Sequence, residues 1–195
     1  MIFGDSIAYG ANDNELCGWS NRLRMHLENH ENYFIVYNLS ISGEFSTETL
    51  ARFENECNAR YDKEENTIII FALGINDTQV VNGKDRISLK EFESNIKELK
   101  NLAKKFTNNI LFLGMTKVDE TKVVPIPWKK SVSFFNEKII KYDSLLEQIC
   151  NEEKVSYIKL YDLLSLDELP DGLHPNNIGH KKIYDVILNK INQII

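Results

Sequence analysis

Short apolar runs recur along the chain, and amphipathic stretches separate them. The runs lie at positions 2–3, 34–39, 67–73, 110–113 and 155–160. The third run is apolar throughout from Ile68 to Ala72 instead of alternating between apolar and polar residues. A strand with this pattern is buried on both faces, as in a parallel sheet that helices cover on each side. The runs therefore predict five strands of a parallel sheet.

The stretches between the runs carry apolar residues at steps of three and four, which is the spacing along one face of a helix. The most regular stretch extends from Leu89 to Phe106, and Ser88 and Glu91 are placed to form a capping box at its start. The same spacing predicts helices over 132–149 and 183–194, and a less regular pattern predicts helices over 19–29 and 47–60. Strands and helices that alternate in this way indicate an α/β protein, a three-layer α/β/α sandwich with right-handed crossovers.

Length, composition and charge narrow the class of protein. The 195 residues suffice for one compact domain and are too few for two ordinary ones, so we expect a single domain over residues 1–195. The hydrophobic share of 43% and charged share of 27% exclude a collagen-like, coiled-coil or disordered chain. The net charge is −6, and no basic block is present, so nucleic acid is not an expected partner.

The cysteines and the N-terminal residues indicate in which cellular compartment the protein is expected. Cys17, Cys57 and Cys150 are widely spaced and odd in number, which predicts neither a disulfide framework nor a zinc site. The N-terminus has neither the basic flank nor the apolar stretch of a signal peptide, and no run is long enough to span a membrane. We therefore expect a cytoplasmic protein without integral membrane contact. The first strand is short, which leaves open whether further residues precede Met1 in the natural protein.

Polar or small residues follow four of the five predicted strands. The four segments are 4–6 (Gly-Asp-Ser), 42–43 (Ser-Gly), 74–77 (Gly-Ile-Asn-Asp) and 171–174 (Asp-Gly-Leu-His). The carboxyl ends of parallel strands lie at one edge of the sheet, and ligands bind at that edge. We therefore expect the four segments to meet in one site.

Three of these residues have the chemistry of nucleophilic catalysis. A serine hydroxyl such as that of Ser6 is a weak nucleophile, and it needs a base such as His174 within hydrogen-bond reach. Asp171, three residues before His174, can bond the other imidazole nitrogen and stabilise the protonated ring. The sequence therefore indicates a Ser6–His174–Asp171 triad.

Attack on an ester carbonyl also creates a negatively charged oxygen that needs hydrogen-bond donors. Gly43 offers a backbone N–H that no side chain shields, and Asn76 offers a side-chain amide. Ser6 offers its own N–H at the start of a helix. The three groups are the expected oxyanion hole.

The chain has other histidines besides His174. His180 is a rival for the base, but its position predicts that it lies inside the last helix, whereas Pro175 suits the start of that helix and leaves His174 on the preceding loop. We interpret His26 and His30 as ordinary helical histidines.

Several neighbouring residues have a structural interpretation. We expect Asp5 and Asp77 to accept backbone N–H bonds that tie the loops together. Trp19 and Trp128 either line the acyl pocket or pack in the core, with packing the simpler interpretation. The long irregular segment 115–130 follows the fourth strand, and it either shapes the ligand site or forms a surface loop.

Together, the blocks resemble those of the GDSL or SGNH hydrolases, a family of serine esterases and lipases. The matching blocks are Gly4-Asp5-Ser6, Gly43, 74–77 and 171–175. The resemblance implies a flavodoxin-like fold with a five-stranded parallel sheet and the triad and oxyanion hole described above. It implies no metal and no organic cofactor.

These observations predict a serine hydrolase that cleaves carboxylic esters through an acyl-enzyme on Ser6. The substrate is expected to be a small-molecule ester, and esterase, lipase, lysophospholipase-like and acetylesterase activities are all compatible with the motifs. The alternative is a non-catalytic, flavodoxin-like module that binds a small ligand at the same strand ends. No phosphate-binding glycine loop and no Gly-x-Ser-x-Gly elbow is present in the sequence.

Overall fold

A computed structural model describes residues 1–29 and 33–194 of the chain. Its strands are β1 (Ile2–Gly4), β2 (Ile68–Ala72), β3 (Val80–Val81), β4 (Lys84–Asp85), β5 (Asn109–Leu113), β6 (Val132–Ser133) and β7 (Ser156–Ile158). Its α-helices are α1 (Ser6–Tyr9), α2 (Gly18–Glu28), α3 (Ser46–Asn58), α4 (Leu89–Ala103), α5 (Glu120–Val123), α6 (Asn136–Glu153) and α7 (Asn177–Ile191). Short 3₁₀ helices lie at Ile75–Thr78 and Leu166–Glu168.

Among the described residues, the main sheet has four parallel strands in the order β1-β2-β5-β7. Ile70 of β2 pairs with Ile2 and Leu111, and the next residue, Phe71, pairs with Phe3 and Phe112. Successive side chains on a strand point to opposite faces, so these two rows lie on opposite sides of the sheet.

Each face of the sheet carries its own hydrophobic core. The row of Phe71 belongs to a core that α3, α4 and α6 cover, and the row of Ile70 belongs to a core that α2 and α7 cover. The expectation that the strands are buried on both faces is confirmed, and so is the three-layer α/β/α sandwich.

The predicted strand over 34–39 contributes less than expected, so the sheet has four strands where the sequence predicted five. Asn38 forms a single parallel bridge with Ile2, and Leu39 N–H donates to the Ile2 carbonyl over 2.8 Å. β1 spans three residues, which leaves the neighbouring segment few backbone groups to pair with. The segment still runs beside β1, at the edge of the main sheet.

The helix predicted over 132–149 begins later than its apolar pattern indicated. Val132 and Ser133 form β6, which pairs with β3 in a small antiparallel sheet of order β4-β3-β6, and α6 starts at Asn136. Both Val132 and Phe134 are buried, so the apolar spacing reflected burial in a strand and a turn as well as in a helix. Within residues 1–29 and 33–194, no helix is long and apolar enough to cross a membrane.

Hydrogen bonds between strand ends bring the loops of the carboxyl edge together. Ile41 N–H donates to the Gly4 carbonyl over 2.9 Å, and Asp5 N–H donates to the Ala72 carbonyl over 3.3 Å. The segments that follow 34–39, β1 and β2 are therefore neighbours, as parallel topology predicts.

Candidate active site

Ser6 is the first residue of α1, directly after β1. The Asp5 carboxylate caps this short helix by accepting the Ile7 N–H over 2.9 Å, and Gly10 ends it in a left-handed conformation. Ser6 is 9% exposed, so its hydroxyl is held at the edge of the core.

A continuous chain of hydrogen bonds joins Ser6, His174 and Asp171. Ser6 Oγ lies 2.8 Å from His174 Nε2, and His174 Nδ1 lies 2.7 Å from Asp171 Oδ2. The first contact spans 168 positions of the sequence. The structure thus brings together the three residues that the sequence singled out as a triad.

Asp171 is oriented by several donors besides the imidazole. Its Oδ1 accepts the backbone N–H groups of Leu173 and His174 at 2.9 and 2.8 Å, and its Oδ2 also accepts the Asn12 side-chain amide at 2.9 Å. Burial raises the pKa of Asp171, but the bonds from the His174 ring and the two backbone N–H groups outweigh it and hold the pKa well below its usual range. Asp171 is therefore ionised at neutral pH and can stabilise a protonated imidazole.

The expected oxyanion donors lie on two loops that contact each other. The Asn76 Nδ2 group donates to the carbonyl of Glu44, the residue after Gly43, over 3.0 Å. Asn76 Oδ1 accepts the Gln79 amide over 2.8 Å, which fixes the orientation of the side chain. An amide nitrogen carries two hydrogens, so the contact with Glu44 leaves one for a ligand.

Two backbone N–H groups complete the expected set. Gly43 has φ +83°, a left-handed conformation that favours glycine, and a Cβ added there would meet no atom within 4 Å. In the described part of the chain, neither the Gly43 N–H nor the Ser6 N–H has a hydrogen-bond acceptor. Both groups are free to donate to a bound oxygen.

The loop that carries Gly43 is anchored by a partly buried ion pair. Arg52 bonds both carboxylate oxygens of Glu44 at 2.5 Å and also donates to the Leu39 carbonyl at 2.6 Å. Thr49 donates to the same carboxylate over 3.0 Å. The pair ties the loop to α3 on one side and to the end of segment 34–39 on the other.

Asp5 and Asp77 accept backbone N–H bonds, as expected of structural residues. Asp77 accepts the N–H and the hydroxyl of Ser46, which fixes the start of α3 beside the 3₁₀ helix that carries Asn76. Burial raises the pKa of Asp5 to about 6 and that of Asp77 to about 7. Two titrating carboxyl groups thus lie beneath the site.

His180 does not reach Ser6. Its ring is fully buried in α7, with Nε2 2.8 Å from the Ala11 carbonyl and Nδ1 accepting the Trp19 N–H over 3.3 Å. Both nitrogens are therefore engaged by the backbone around the loop that carries Asn12. His26 lies in α2 against Tyr184, as expected of a helical histidine, and His30 falls outside the described residues.

The two tryptophans have different surroundings. Trp19 is 1% exposed and packs in the core, which confirms the simpler interpretation for this residue. Trp128 is 55% exposed, and its ring centroid lies 5.9 Å from that of His174. The prediction that Trp128 packs in the core is therefore wrong. Segment 115–130 therefore borders the site.

Sequence reasoning missed the residues that hold the triad and the donors in place. These residues are Asn12, Glu44, Arg52 and Gln79. Each acts through a contact between distant loops or across a helical turn, and no spacing pattern singles such contacts out. In the described ranges, no cluster of three or more His, Cys, Asp or Glu side chains is arranged to hold a metal ion.

The fold and the site together define an α/β protein with a Ser–His–Asp chain at the carboxyl edge of a parallel sheet. Such an arrangement can deprotonate a serine hydroxyl and stabilise a negatively charged oxygen nearby. The chain belongs to the GDSL-like Lipase/Acylhydrolase family, whose model matches residues 2–182.

Several known proteins are similar to this chain in sequence or in fold. An isoamyl acetate-hydrolyzing esterase from Saccharomyces cerevisiae is 30% identical over 146 residues, which cover 66% of this chain and 59% of that protein. An acetylxylan esterase from Geobacillus stearothermophilus has a TM-score of 0.75 at 18% identity, with 97% of this chain and 92% of the other covered. A GDSL-like lipase from Bacteroides thetaiotaomicron has a TM-score of 0.71 at 18% identity, with 100% and 87% covered. The structural similarities show that the fold is shared.

Proposed function

We propose that the protein is a serine ester hydrolase that cleaves small carboxylic esters through an acyl-enzyme on Ser6. The hydrogen-bonded chain from Ser6 Oγ through His174 to Asp171 carries the proposal. Both contacts lie within the range of about 2.6–3.2 Å at which a base activates a nucleophile. Family membership supports the same reaction class.

The reaction begins when Ser6 Oγ attacks the ester carbonyl carbon and His174 Nε2 takes the hydroxyl proton. The carbonyl electrons move to the oxygen, which accepts hydrogen bonds from the N–H groups of Ser6 and Gly43 and from the Asn76 amide. Asp171 accepts the Nδ1–H of His174 throughout and stabilises the positive charge of the ring.

Collapse of the tetrahedral intermediate breaks the bond to the alcohol oxygen, and His174 returns its proton to that oxygen. Water then attacks the acyl-Ser6 carbonyl, with His174 again accepting a proton, and the carboxylic acid leaves as Ser6 recovers its hydrogen. These steps use the side chains and backbone N–H groups named above and water.

Acetate esters are the first substrates to test. The yeast relative is named for isoamyl acetate and the Geobacillus relative for acetylxylan, and both names describe acetate esters. Longer acyl chains define the lipase and lysophospholipase-like alternatives. A cytoplasmic location stays a prediction from the sequence.

A panel of p-nitrophenyl esters from acetate to laurate tests the proposal with the unaltered protein, Ser6→Ala and His174→Ala. We expect hydrolysis that is fastest for short acyl chains, and a fall in kcat of at least about 10⁴-fold in each variant. Equal rates in the unaltered protein and Ser6→Ala would contradict the proposal. A non-catalytic binding module predicts no turnover of any ester.

A further inference from the structure

Trp128 presents an open aromatic surface next to the reacting groups. Its indole lies 5.9 Å from the His174 ring, centroid to centroid, at an interplanar angle of 31°. The residue is 55% exposed, although tryptophan is highly buried in most proteins. Both nitrogens of His174 already have partners, so the indole contacts the ring without competing for either nitrogen.

The segment that carries Trp128 is docked on the segment that carries His174. Asp119 N–H donates to the Gly172 carbonyl over 2.8 Å, and Lys122 Nζ donates to the Leu169 carbonyl over 3.3 Å. A Cβ added to Gly172 would lie 2.7 Å from the Cβ of Lys122, so the two segments are in close contact. The start of the segment that carries Trp128 is therefore held against the loop that carries His174, and the indole itself lies beside the imidazole.

The geometry of ester cleavage says which part of a substrate reaches this surface. In the tetrahedral intermediate, the carbonyl oxygen points to the donors of Gly43 and Asn76. The alcohol oxygen points to His174 Nε2, because that nitrogen must protonate it as the bond breaks. A side chain beside His174 therefore contacts the alcohol part of the ester, and the acyl part lies away from it.

We propose that Trp128 is the specificity-determining residue for the alcohol part of the substrate, and that it favours alcohols with an apolar C–H face. The proposal rests on the ester hydrolase function proposed above. An indole supplies a large flat apolar surface with a polar edge, and it packs against saturated C–H groups. A cyclic or branched alkyl alcohol and the face of a sugar ring share this chemistry.

Two ester series separate the alcohol part from the acyl part. The first series keeps the acetyl group and varies the alcohol: methyl acetate, cyclohexylmethyl acetate and a mono-O-acetylated methyl glucoside. The second keeps methanol and varies the acid: methyl acetate and methyl hexanoate. kcat/KM is measured for the unaltered protein, Trp128→Ala, Trp128→Phe and the matched loop control Lys129→Ala, whose side chain is also exposed.

We expect Trp128→Ala to lower kcat/KM about tenfold for the bulky alcohol esters, since a few lost methylene contacts are worth that factor. Its kcat/KM for methyl acetate and methyl hexanoate should stay within about twofold. Trp128→Phe should keep most of the preference, and Lys129→Ala all of it. A loss confined to the cyclohexylmethyl or the glucoside ester would support the proposal and identify which alcohol face is recognised.

An equal loss on every ester, or a loss that follows the acyl chain, would overturn the proposal. A Lys129→Ala variant that behaves like Trp128→Ala would overturn it as well. If the unaltered protein cleaves none of the esters, the proposed function itself fails. That result is distinct, because it affects every variant and every substrate at once.

Discussion

Asp171 illustrates how single residues set the chemistry of the site. The carboxylate bonds the imidazole with one oxygen and two backbone N–H groups with the other. Asn12 donates to the oxygen that faces the imidazole, from a left-handed position with φ +66° that asparagine tolerates better than most residues. His180 holds the preceding carbonyl of Ala11, so the loop presents Asn12 to Asp171.

Replacing Asn12 should therefore affect the reaction more than the fold. In Asn12→Ala, Asp171 loses one orienting donor, and we expect kcat/KM to fall about fivefold, which corresponds to about 1 kcal/mol for a hydrogen bond to a charged group at an exposed position. The kcat/KM for p-nitrophenyl acetate, compared with that of the unaltered protein, checks this expectation.

Asn14→Ala is the matched control, because Asn14 is an exposed asparagine of the same loop. It should leave kcat/KM unchanged. An Asn12→Ala variant with the kcat/KM of the unaltered protein would show that the contact does not orient Asp171.

At the scale of residues, the triad could be predicted from short sequence motifs. Asp171 and His174 are three residues apart and meet across one turn, and Ser6 follows a strand directly. Asn12 contacts Asp171 across 159 positions, and the conformation of a loop decides that contact. No periodicity in the sequence encodes it.

At the scale of elements, the site depends on the close contact between α5 and the loop that carries His174. Gly172 lies between Asp171 and His174 with φ +88°, and its Cα faces α5. A methyl group there would lie 2.7 Å from Lys122 Cβ and 2.9 Å from a Val123 methyl group. Gly172→Ala should push α5 away from the loop that carries His174.

We expect Gly172→Ala to destabilise the fold by about 1–3 kcal/mol, as overpacking does, and to lower kcat because it displaces His174. Gly83→Ala is the matched control, since Gly83 also has positive φ (+76°) but no neighbour within 4 Å of an added Cβ. Gly83→Ala should lower the free energy of unfolding only by the cost of backbone strain, and its kcat should be unchanged. Urea unfolding and kcat for both variants test this, and a Gly172→Ala protein with normal kcat would contradict it.

Most helices and strands could be predicted from the sequence, because buried residues recur with the period of the helix or strand that carries them. The run over 67–73 and the helix after Ser88 both match the structure, and Ser88 accepts the Glu91 N–H as a cap. The prediction over 132–149 was wrong at its start, where Val132 is a buried strand residue and Phe134 is buried ahead of α6. Apolar spacing reports burial, and over a few residues a strand and a helix give the same spacing.

On the scale of the whole molecule, folding buries the carboxyl group of Asp77 completely. Burial raises the pKa of Asp77 from 3.8 to about 7. Folding therefore takes up a proton at Asp77 between about pH 4 and pH 7, and the stability that it contributes is complete below pH 4 and is lost as the pH rises through 7. Over this whole pH range, Asp77 changes the free energy of unfolding by up to about 4 kcal/mol, at 1.36 kcal/mol per pH unit.

Asp77→Asn should remove this dependence, because an amide does not titrate. We expect the free energy of unfolding of the unaltered protein to fall more steeply from pH 4 to pH 8 than that of the variant, in urea unfolding at each pH. Asp62→Asn, at an exposed carboxylate, should follow the unaltered protein. Parallel curves for Asp77→Asn and the unaltered protein would contradict the raised pKa.

The most direct test of Ser6 as an activated nucleophile is the intact mass of the protein after reaction with a fluorophosphonate, followed by peptide mapping. We expect one covalent adduct per chain, on Ser6, no adduct on Ser6→Ala, and much slower labelling of His174→Ala. Equal labelling of Ser6→Ala, an adduct on another residue, or no adduct on the unaltered protein would contradict this expectation.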